Sequence, residues 1–135
     1  MRAVDSGVAV AAFASWHESH QAAFAELSGR PQIASHSLIE TFSVLTRLPA
    51  PHRAPAELVS RFLDAAFPED PLTIDGRLTR LLVVDRLPAV GVSGGATYDA
   101  LIAETVRAAG ATLVTLDRRA LATYDRIGCE AVLIE

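Results

Sequence analysis

The chain has 135 residues, half of them apolar, and its 12 basic residues, all arginine, stand against 16 acids for a net charge of -4. These values predict one folded domain over residues 1–135 and exclude a disordered segment. The lack of lysine excludes Walker-type phosphate loops and Schiff-base chemistry, and the single cysteine, Cys129, excludes an internal disulfide and a cysteine-rich zinc site.

The first third of the chain alternates short apolar strands with helical periodicity. A strand at 3–4 is followed by apolar residues at helical spacing over 8–16. A second helical stretch over 17–27 ends before a glycine and a proline, which is a common helix stop signal. A short strand is then predicted at 32–34, and Ser37 begins the next helix.

The middle third contains a proline-rich connector at 49–55, which we interpret as a loop inside one domain. Helical periodicity resumes over 56–67, and a brief strand is predicted at 72–74. Asp75 is expected to cap a further amphipathic helix that ends at Pro88.

The last third gives the clearest pattern. A glycine pair at 94–95 forms a turn, a helix covers 97–109, and a buried strand follows at 112–116. A short helix over 117–127 and a final strand at 131–134 complete the chain. Strands that alternate with helices predict an α/β fold with a mostly parallel sheet and helices on both faces.

Acidic residues occur where such a sheet places ligands, at the carboxyl ends of its strands. Asp5 and Asp117 each follow a predicted strand directly. Asp99 lies in the first turn of the helix that precedes the second of these strands, and Glu40 lies in the first turn of the helix that begins at Ser37.

Each of these acids also has a purely structural interpretation. Ser37 and Glu40 have the spacing of a capping box, in which Glu40 reaches back to the start of its own helix. Asp5 and Asp117 precede helical stretches and can serve as N-caps, and Asp99 can be an ordinary first-turn acid.

The joint arrangement points to a metal. If all four carboxylates lie at one end of the sheet, they cannot all ionise at close range without a cation. A site of oxygen ligands alone favours Mg²⁺ or Mn²⁺ over Zn²⁺. Such an ion activates water for attack on phosphorus, which is the chemistry of a nuclease or a phosphatase.

Other candidates are weaker. His17 and His20 miss the zincin spacing by one residue, so we expect partly exposed helix residues there. Asp85 fits an amphipathic helix better than a strand end. The arginines next to the predicted acids are either phosphate contacts or parts of a solvated surface: Arg47, Arg118 and Arg119.

The apolar run at 7–14 only faintly imitates a secretory signal, because Asp5 precedes it and the run is short. No other run approaches the roughly 20 apolar residues of a spanning helix. Together with the single cysteine, this predicts a soluble protein of the reducing cytoplasm that has no contact with a membrane.

At these residues the chain resembles the PIN domains, and specifically the VapC toxins of bacterial toxin–antitoxin operons. The resemblance covers nearly the full length. Its most specific part is the segment Tyr-Asp-Ala-Leu-Ile-Ala at 98–103, followed by Leu-Val-Thr-Leu-Asp at 113–117, and weaker support comes from Ala-Val-Asp-Ser at 3–6 and Ser-Leu-Ile-Glu at 37–40.

The resemblance implies a three-layer α/β/α fold and an Mg²⁺- or Mn²⁺-dependent endoribonuclease. The metal ligands it implies are Asp5, Glu40, Asp99 and Asp117. It further implies cleavage that leaves a 5′-phosphate and a 3′-hydroxyl, RNA targets such as tRNA or ribosomal RNA, arrest of translation, a VapB-type antitoxin and a homodimer.

One departure from the family is at Gly7, since such domains commonly have two polar residues after the first aspartate and here only Ser6 is polar. A supporting hydroxyl is therefore expected to be missing, which concerns metal affinity rather than the fold. Thr115 shares a strand face with Asp117 and is expected to support it.

Two other functions remain open on the sequence. A phosphatase acting on small phosphate esters could use the same acids, although Gly7 stands where an Asp-x-Asp motif would have its second acid. A PIN-like module could instead bind RNA or a protein without cutting, and such binding would survive loss of the acids.

Overall fold

The computed structural model describes residues 1–135 as a four-stranded sheet with helices on both faces. The strands are β1 (Arg2–Val4), β2 (Gln32–Ile33), β3 (Thr112–Thr115) and β4 (Ala131–Leu133). They lie side by side in the order β2-β1-β3-β4, and every pair is parallel.

The helices connect these strands in the predicted alternation. They are α1 (Ser6–Phe13), α2 (His20–Leu27), α3 (Ser35–Arg47), α4 (Ala56–Ala66), α5 (Gly76–Leu81), α6 (Leu87–Val90), α7 (Ala96–Ala108) and α8 (Ala120–Ile127). A π-helical turn, Leu82–Arg86, joins α5 to α6. None of these helices combines the length and the apolarity that crossing a membrane requires.

Alternation along the two central strands creates two cores. Ala3 and Leu113 point to one face of the sheet and belong to a buried cluster that includes residues of α7 and α8. Val4 and Val114 point to the opposite face and belong to a second cluster that includes residues of α1, α3 and α4. Helices therefore cover both faces of the sheet, which confirms the predicted three-layer α/β/α fold.

Several predicted boundaries are wrong. The stretch 72–74 is not a strand, because it makes only a single bridge, from Leu72 to Ala34. The second helix begins at His20 rather than at 17, after a series of turns.

Two further helices differ from their predicted limits. Pro88 does not end its helix but lies at the start of α6, directly after the π-helical turn, and the helical path stops at Gly91, which has φ +73°. The last helix begins at Ala120, three residues after Asp117.

The parallel register sets the position of the candidate site. Val4 pairs with both Ile33 and Val114, so the carboxyl ends of β1, β2 and β3 finish at the same edge of the sheet. Asp5 leaves β1 at this edge, and its backbone N–H continues the ladder by donating to the carbonyl of Val114 at 3.1 Å. Asp5 and the turn after β3, which contains Asp117, therefore lie at the same edge of the sheet.

Candidate acidic site at the sheet edge

Asp5 is the buried member of the site, with only 5% of its surface exposed. It is the N-cap of α1, where its Oδ1 accepts a hydrogen bond from the backbone N–H of Val8 at 3.1 Å. Its other oxygen, Oδ2, accepts from the Tyr124 hydroxyl at 3.1 Å. The N-cap interpretation is thus confirmed, but it accounts for only one of the two carboxylate oxygens.

The environment of Asp5 disfavours its charge. Burial raises the pKa of Asp5 above its ordinary value, and the nearby charge of Asp117 raises it further. Hydrogen bonds with Thr115, Val8 and Tyr124 oppose this rise because they stabilise the ionised form. The carboxylate is therefore held by several donors in a place where a cation would stabilise it.

Tyr124 contacts the predicted site residue Asp5 but is not among the residues predicted from the sequence. It lies on α8 with its side chain 1% exposed, and burial followed by the charges of Asp5 and Asp99 raises its pKa far above the ordinary value. The hydroxyl therefore stays protonated and acts as a donor. A tyrosine on the buried face of an amphipathic helix next to a strand-end aspartate was the available signal, because a buried hydroxyl needs a polar partner.

Asp117 lies in the turn after β3 and its side chain is half exposed. Its backbone N–H donates to the Thr115 hydroxyl at 3.0 Å, which confirms the expected supporting role of Thr115. Its Oδ1 accepts from the backbone N–H of Arg119 at 2.9 Å within the turn. Asp117 is not the N-cap of α8, which begins at Ala120, so the cap interpretation is wrong for this residue.

Glu40 does not belong to a capping box. Helix α3 begins at Ser35 with Ala34 as its N-cap, so Glu40 lies in the second turn and not in the first. Ser37 is fully buried inside the helix, and its hydroxyl has no hydrogen-bond partner. The interpretation that Glu40 reaches back to Ser37 is therefore wrong.

Glu40 instead reaches across the protein. Its Oε1 accepts a hydrogen bond from the hydroxyl of Ser6, which lies in the first turn of α1. Its Oε2 lies 3.9 Å from Nε2 of His36, one turn earlier on α3. The single hydroxyl after Asp5 is thus engaged by a predicted site residue.

Gly7 stands where the family commonly has a second polar residue, and the structure shows whether a larger side chain would fit there. A Cβ atom built on Gly7 would lie 3.6 Å from Oδ1 of Asp5, which is an ordinary contact distance. Crowding therefore does not require glycine at this position.

Asp99 lies in the first turn of α7, as predicted, and is partly buried. Burial raises its pKa, and the charges of Asp117 and Glu40 raise it further, while His36 lowers it. The charge of Asp117 thus raises the pKa of both Asp99 and Asp5. The charges of the predicted acids therefore couple Asp5 to Asp117, Asp117 to Asp99 and Asp99 to Glu40, and we call these four residues the acidic site (Asp5, Glu40, Asp99 and Asp117).

The acidic site is not a closed metal cage. No three His, Cys, Asp or Glu side chains in the protein are grouped closely enough to hold an ion on their own. Mg²⁺ typically retains several waters and takes only one or two carboxylates directly, with substrate phosphates completing its shell. The all-oxygen donor set and the mutual repulsion of the acids therefore fit a partly hydrated hard cation.

The remaining polar candidates lie outside this arrangement or at its margin. His17 lies in a turn rather than in a helix, and its Nδ1 accepts from the N–H of Ser19 at 3.0 Å. The Nδ1 of His20 pairs with the carbonyl of Ala11 at 2.8 Å. Asp85 is exposed on the π-helical turn, as expected for a residue of an amphipathic helix.

The three arginines differ in position. Arg119 is 96% exposed, and its Nε lies 3.9 Å from Oδ1 of Asp117, so it stands next to the site. Arg118 reaches Glu135 at 3.3 Å. Arg47 follows Glu40 by seven residues on α3, which places it about 10 Å further along the helix axis. Only Arg119 is thus paired with a member of the acidic site.

Comparison with known proteins gives consistent matches over almost the whole chain. The model of the PIN domain family matches residues 3–127. The chain is 45% identical to Ribonuclease VapC40 of Mycobacterium tuberculosis (strain ATCC 25618 / H37Rv) over 134 residues, which are 99% of this chain and 99% of the relative. It is 38% identical to Ribonuclease VapC27 of the same strain over 136 residues, which cover 97% of this chain and 95% of the relative.

Proposed function

Because the chain belongs to the PIN domain family, and within it to the VapC ribonucleases, we propose that it is an endoribonuclease that cleaves RNA with Mg²⁺ or Mn²⁺. The observation that best supports the metal is electrostatic. Two acids of the site, Asp5 and Asp99, have raised pKa values because burial and neighbouring carboxylates disfavour their charge. A divalent cation would remove that penalty.

Each member of the acidic site has a proposed role. Asp5, Asp99 and Asp117 hold the ion directly or through water, and Glu40 completes the set. A divalent ion held by these acids would supply charge neutralisation at phosphate oxygens and a lowered pKa for water, which would make that water a nucleophile toward phosphorus. In the proposed reaction the water oxygen bonds to phosphorus while the bond from phosphorus to the 3′-oxygen breaks, which leaves a 5′-phosphate and, once that oxygen gains a proton, a 3′-hydroxyl.

Neighbouring residues orient these ligands. Tyr124 donates to one oxygen of Asp5, and the N–H of Val8 donates to the other, which fixes the plane of the carboxylate. The Ser6 hydroxyl positions one oxygen of Glu40. Such contacts commonly change metal affinity or activity when they are removed, although they do not touch the ion.

The proposed biological role is that of a cytoplasmic VapC toxin. The RNA substrate is then a structured RNA such as tRNA or ribosomal RNA, and its cleavage arrests translation. A VapB-type antitoxin is the proposed partner, and the toxin is proposed to form a homodimer. The support for this role is 45% identity to a named VapC ribonuclease over 99% of both chains.

Expression in a bacterial host provides the test. Wild type and Asp99→Asn are induced to equal protein levels, and RNA 5′-phosphate ends are sequenced. Growth arrest with discrete new ends in wild type alone supports the proposal. Asp85→Asn is the matched control, because this exposed aspartate lies outside the acidic site and its loss should leave cleavage unchanged.

Purified protein separates the alternatives. RNA cleavage should require Mg²⁺ or Mn²⁺ and stop in EDTA. Turnover of p-nitrophenyl phosphate without RNA cleavage would instead identify a phosphatase. RNA binding that persists equally in Asp99→Asn, with no cleavage by wild type, would identify a non-catalytic module.

A further inference from the structure

Two stacked rings lie beside the acidic site and have no role in the proposed chemistry. His36 on α3 and Tyr98 on α7 have ring centroids 5.2 Å apart and an angle of 9° between their planes. The residues are 62 positions apart in sequence, so only the packing of α3 near α7 brings the rings together. The pair forms a flat aromatic surface at the sheet edge.

The ring pair adjoins two members of the acidic site. Tyr98 immediately precedes Asp99 in the first turn of α7. His36 precedes Glu40 by one helical turn, and its Nε2 lies 3.9 Å from Oε2 of Glu40. A phosphodiester held at these acids would therefore have its neighbouring nucleotides close to the ring pair.

Tyr98 is an exposed aromatic residue. Its surface is 57% accessible although His36 covers one face of its ring. More than half of the surface of Tyr98 is therefore open to solvent in addition to its contact with His36. Unpaired RNA bases commonly stack on such aromatic faces, and stacking tolerates any base because each has a π-face.

From this geometry we propose that the ring pair of His36 and Tyr98 is a stacking platform for an unpaired nucleobase next to the scissile phosphate. Tyr98 provides the contact face, and His36 supports the ring from behind. The platform positions RNA and takes no part in bond cleavage. This inference rests on the proposed ribonuclease function, which it deepens by assigning a subsite for single-stranded RNA.

The test uses oligouridine nonamers that each contain one 2-aminopurine, a base whose fluorescence is quenched by stacking. Binding is measured with Ca²⁺ in place of Mg²⁺, and gel analysis verifies that the RNA stays intact. Wild type should quench the probe at one or two adjacent positions only. Tyr98→Ala should remove that quenching and weaken binding about tenfold, which is within the range expected for one stacked base.

Two variants control for other effects. Tyr98→Phe keeps the ring and should bind and quench like wild type. Phe24→Ala removes another aromatic side chain that is also 57% exposed but lies on α2, and it should change neither measurement. Thermal melting should show that Tyr98→Ala is folded, since the side chain it removes is largely exposed.

Cleavage kinetics distinguish positioning from chemistry. On an RNA that carries a mapped cleavage site, Tyr98→Ala should raise KM about tenfold while kcat changes less than threefold. If Tyr98→Ala binds, quenches and cleaves like Tyr98→Phe, the rings only pack α3 against α7 and the inference is wrong. The inference would also be wrong if wild type quenched the 2-aminopurine at none of the positions tested.

The two proposals can fail separately. Cleavage by wild type that is lost in Asp99→Asn, with no effect of Tyr98→Ala, would overturn the platform alone. Position-specific quenching that depends on Tyr98, with no cleavage of any RNA, would overturn the ribonuclease function and leave the platform as a binding site.

Discussion

Replacement of Tyr124 by phenylalanine should destabilise the metal-free protein by about 1.5 to 2 kcal/mol at pH 7. The substitution keeps the ring, which is 1% exposed, and removes only the hydroxyl that donates to Oδ2 of Asp5 at 3.1 Å. Hydrogen bonds to charged groups contribute about 1.5 to 3 kcal/mol. We expect the lower part of this range because Asp5 keeps the N–H of Val8 as a donor.

The effect should depend on pH with a defined sign. The Tyr124 hydrogen bond lowers the pKa of Asp5 because it favours the ionised carboxylate, although burial raises that pKa on balance. As the pH falls through the pKa of folded Asp5, the acceptor becomes a neutral carboxyl and the bond weakens. The difference in unfolding free energy between the variant and wild type should therefore shrink toward about 1 kcal/mol.

Urea denaturation in EDTA at several pH values measures this difference. Tyr98→Phe is the matched control, because it removes a hydroxyl from the other tyrosine of the chain, whose side chain is largely exposed, and it should cost nothing measurable. If Tyr124→Phe is as stable as wild type at pH 7, or if its destabilisation increases toward acidic pH, the hydrogen bond does not have the role assigned to it.

Three other substitutions have definite expected outcomes. Asp99→Asn should abolish RNA cleavage and stabilise the metal-free protein at neutral pH. The pKa of Asp99 is raised in the folded protein, so this carboxyl stabilises the fold below its unfolded-state pKa, and the contribution is lost as the pH rises through its folded-state pKa. Denaturation in EDTA below the first of these pKa values and above the second tests the sign. Glu40→Gln should abolish cleavage with little change in melting temperature, since α3 does not use this side chain as a cap; normal cleavage by this variant would remove Glu40 from the site. Glu104→Ala should lower the free energy of unfolding by about 3 kcal/mol, because the buried carboxylate pairs with Arg86 at 2.5 Å and with Arg107 at 2.7 Å. Its loss leaves the partly buried Arg86 guanidinium with the Ile127 carbonyl but no counter-charge, and urea denaturation at pH 7 measures the effect.

The sequence was sufficient to predict the architecture. Strands β1 and β3 are short segments that are each followed within two residues by an aspartate, and helical periodicity separates them. A parallel sheet brings the carboxyl ends of neighbouring strands to one edge, so Asp5 and Asp117 could be expected together without knowledge of any contact. Asp99 and Glu40 were candidates from their positions near the starts of predicted helices, and the resemblance to the PIN domains implied a metal-binding role for all four acids.

Local patterns were misleading where a tertiary contact competes with them. The spacing of Ser37 and Glu40 is that of a capping box, yet α3 begins two residues before Ser37. Ala34 forms a bridge with Leu72, and the N–H of Ser35 donates to the Leu72 carbonyl, so the chain leaves the sheet and starts its helix at that point. A bond between residues 37 positions apart cannot be inferred from a four-residue motif.

Composition and periodicity thus predicted the fold class, and the position of two acids after strands predicted the edge of the sheet at which Asp5 and Asp117 lie. The tertiary structure alone decided which other side chains lie against the acids: Tyr124 on Asp5, Ser6 on Glu40, and the stacked rings of His36 and Tyr98 nearby. The physical reason is the separation along the chain of the residues that interact. A strand or helix is encoded within a few consecutive residues, whereas each of these contacts depends on how separate helices pack on the sheet.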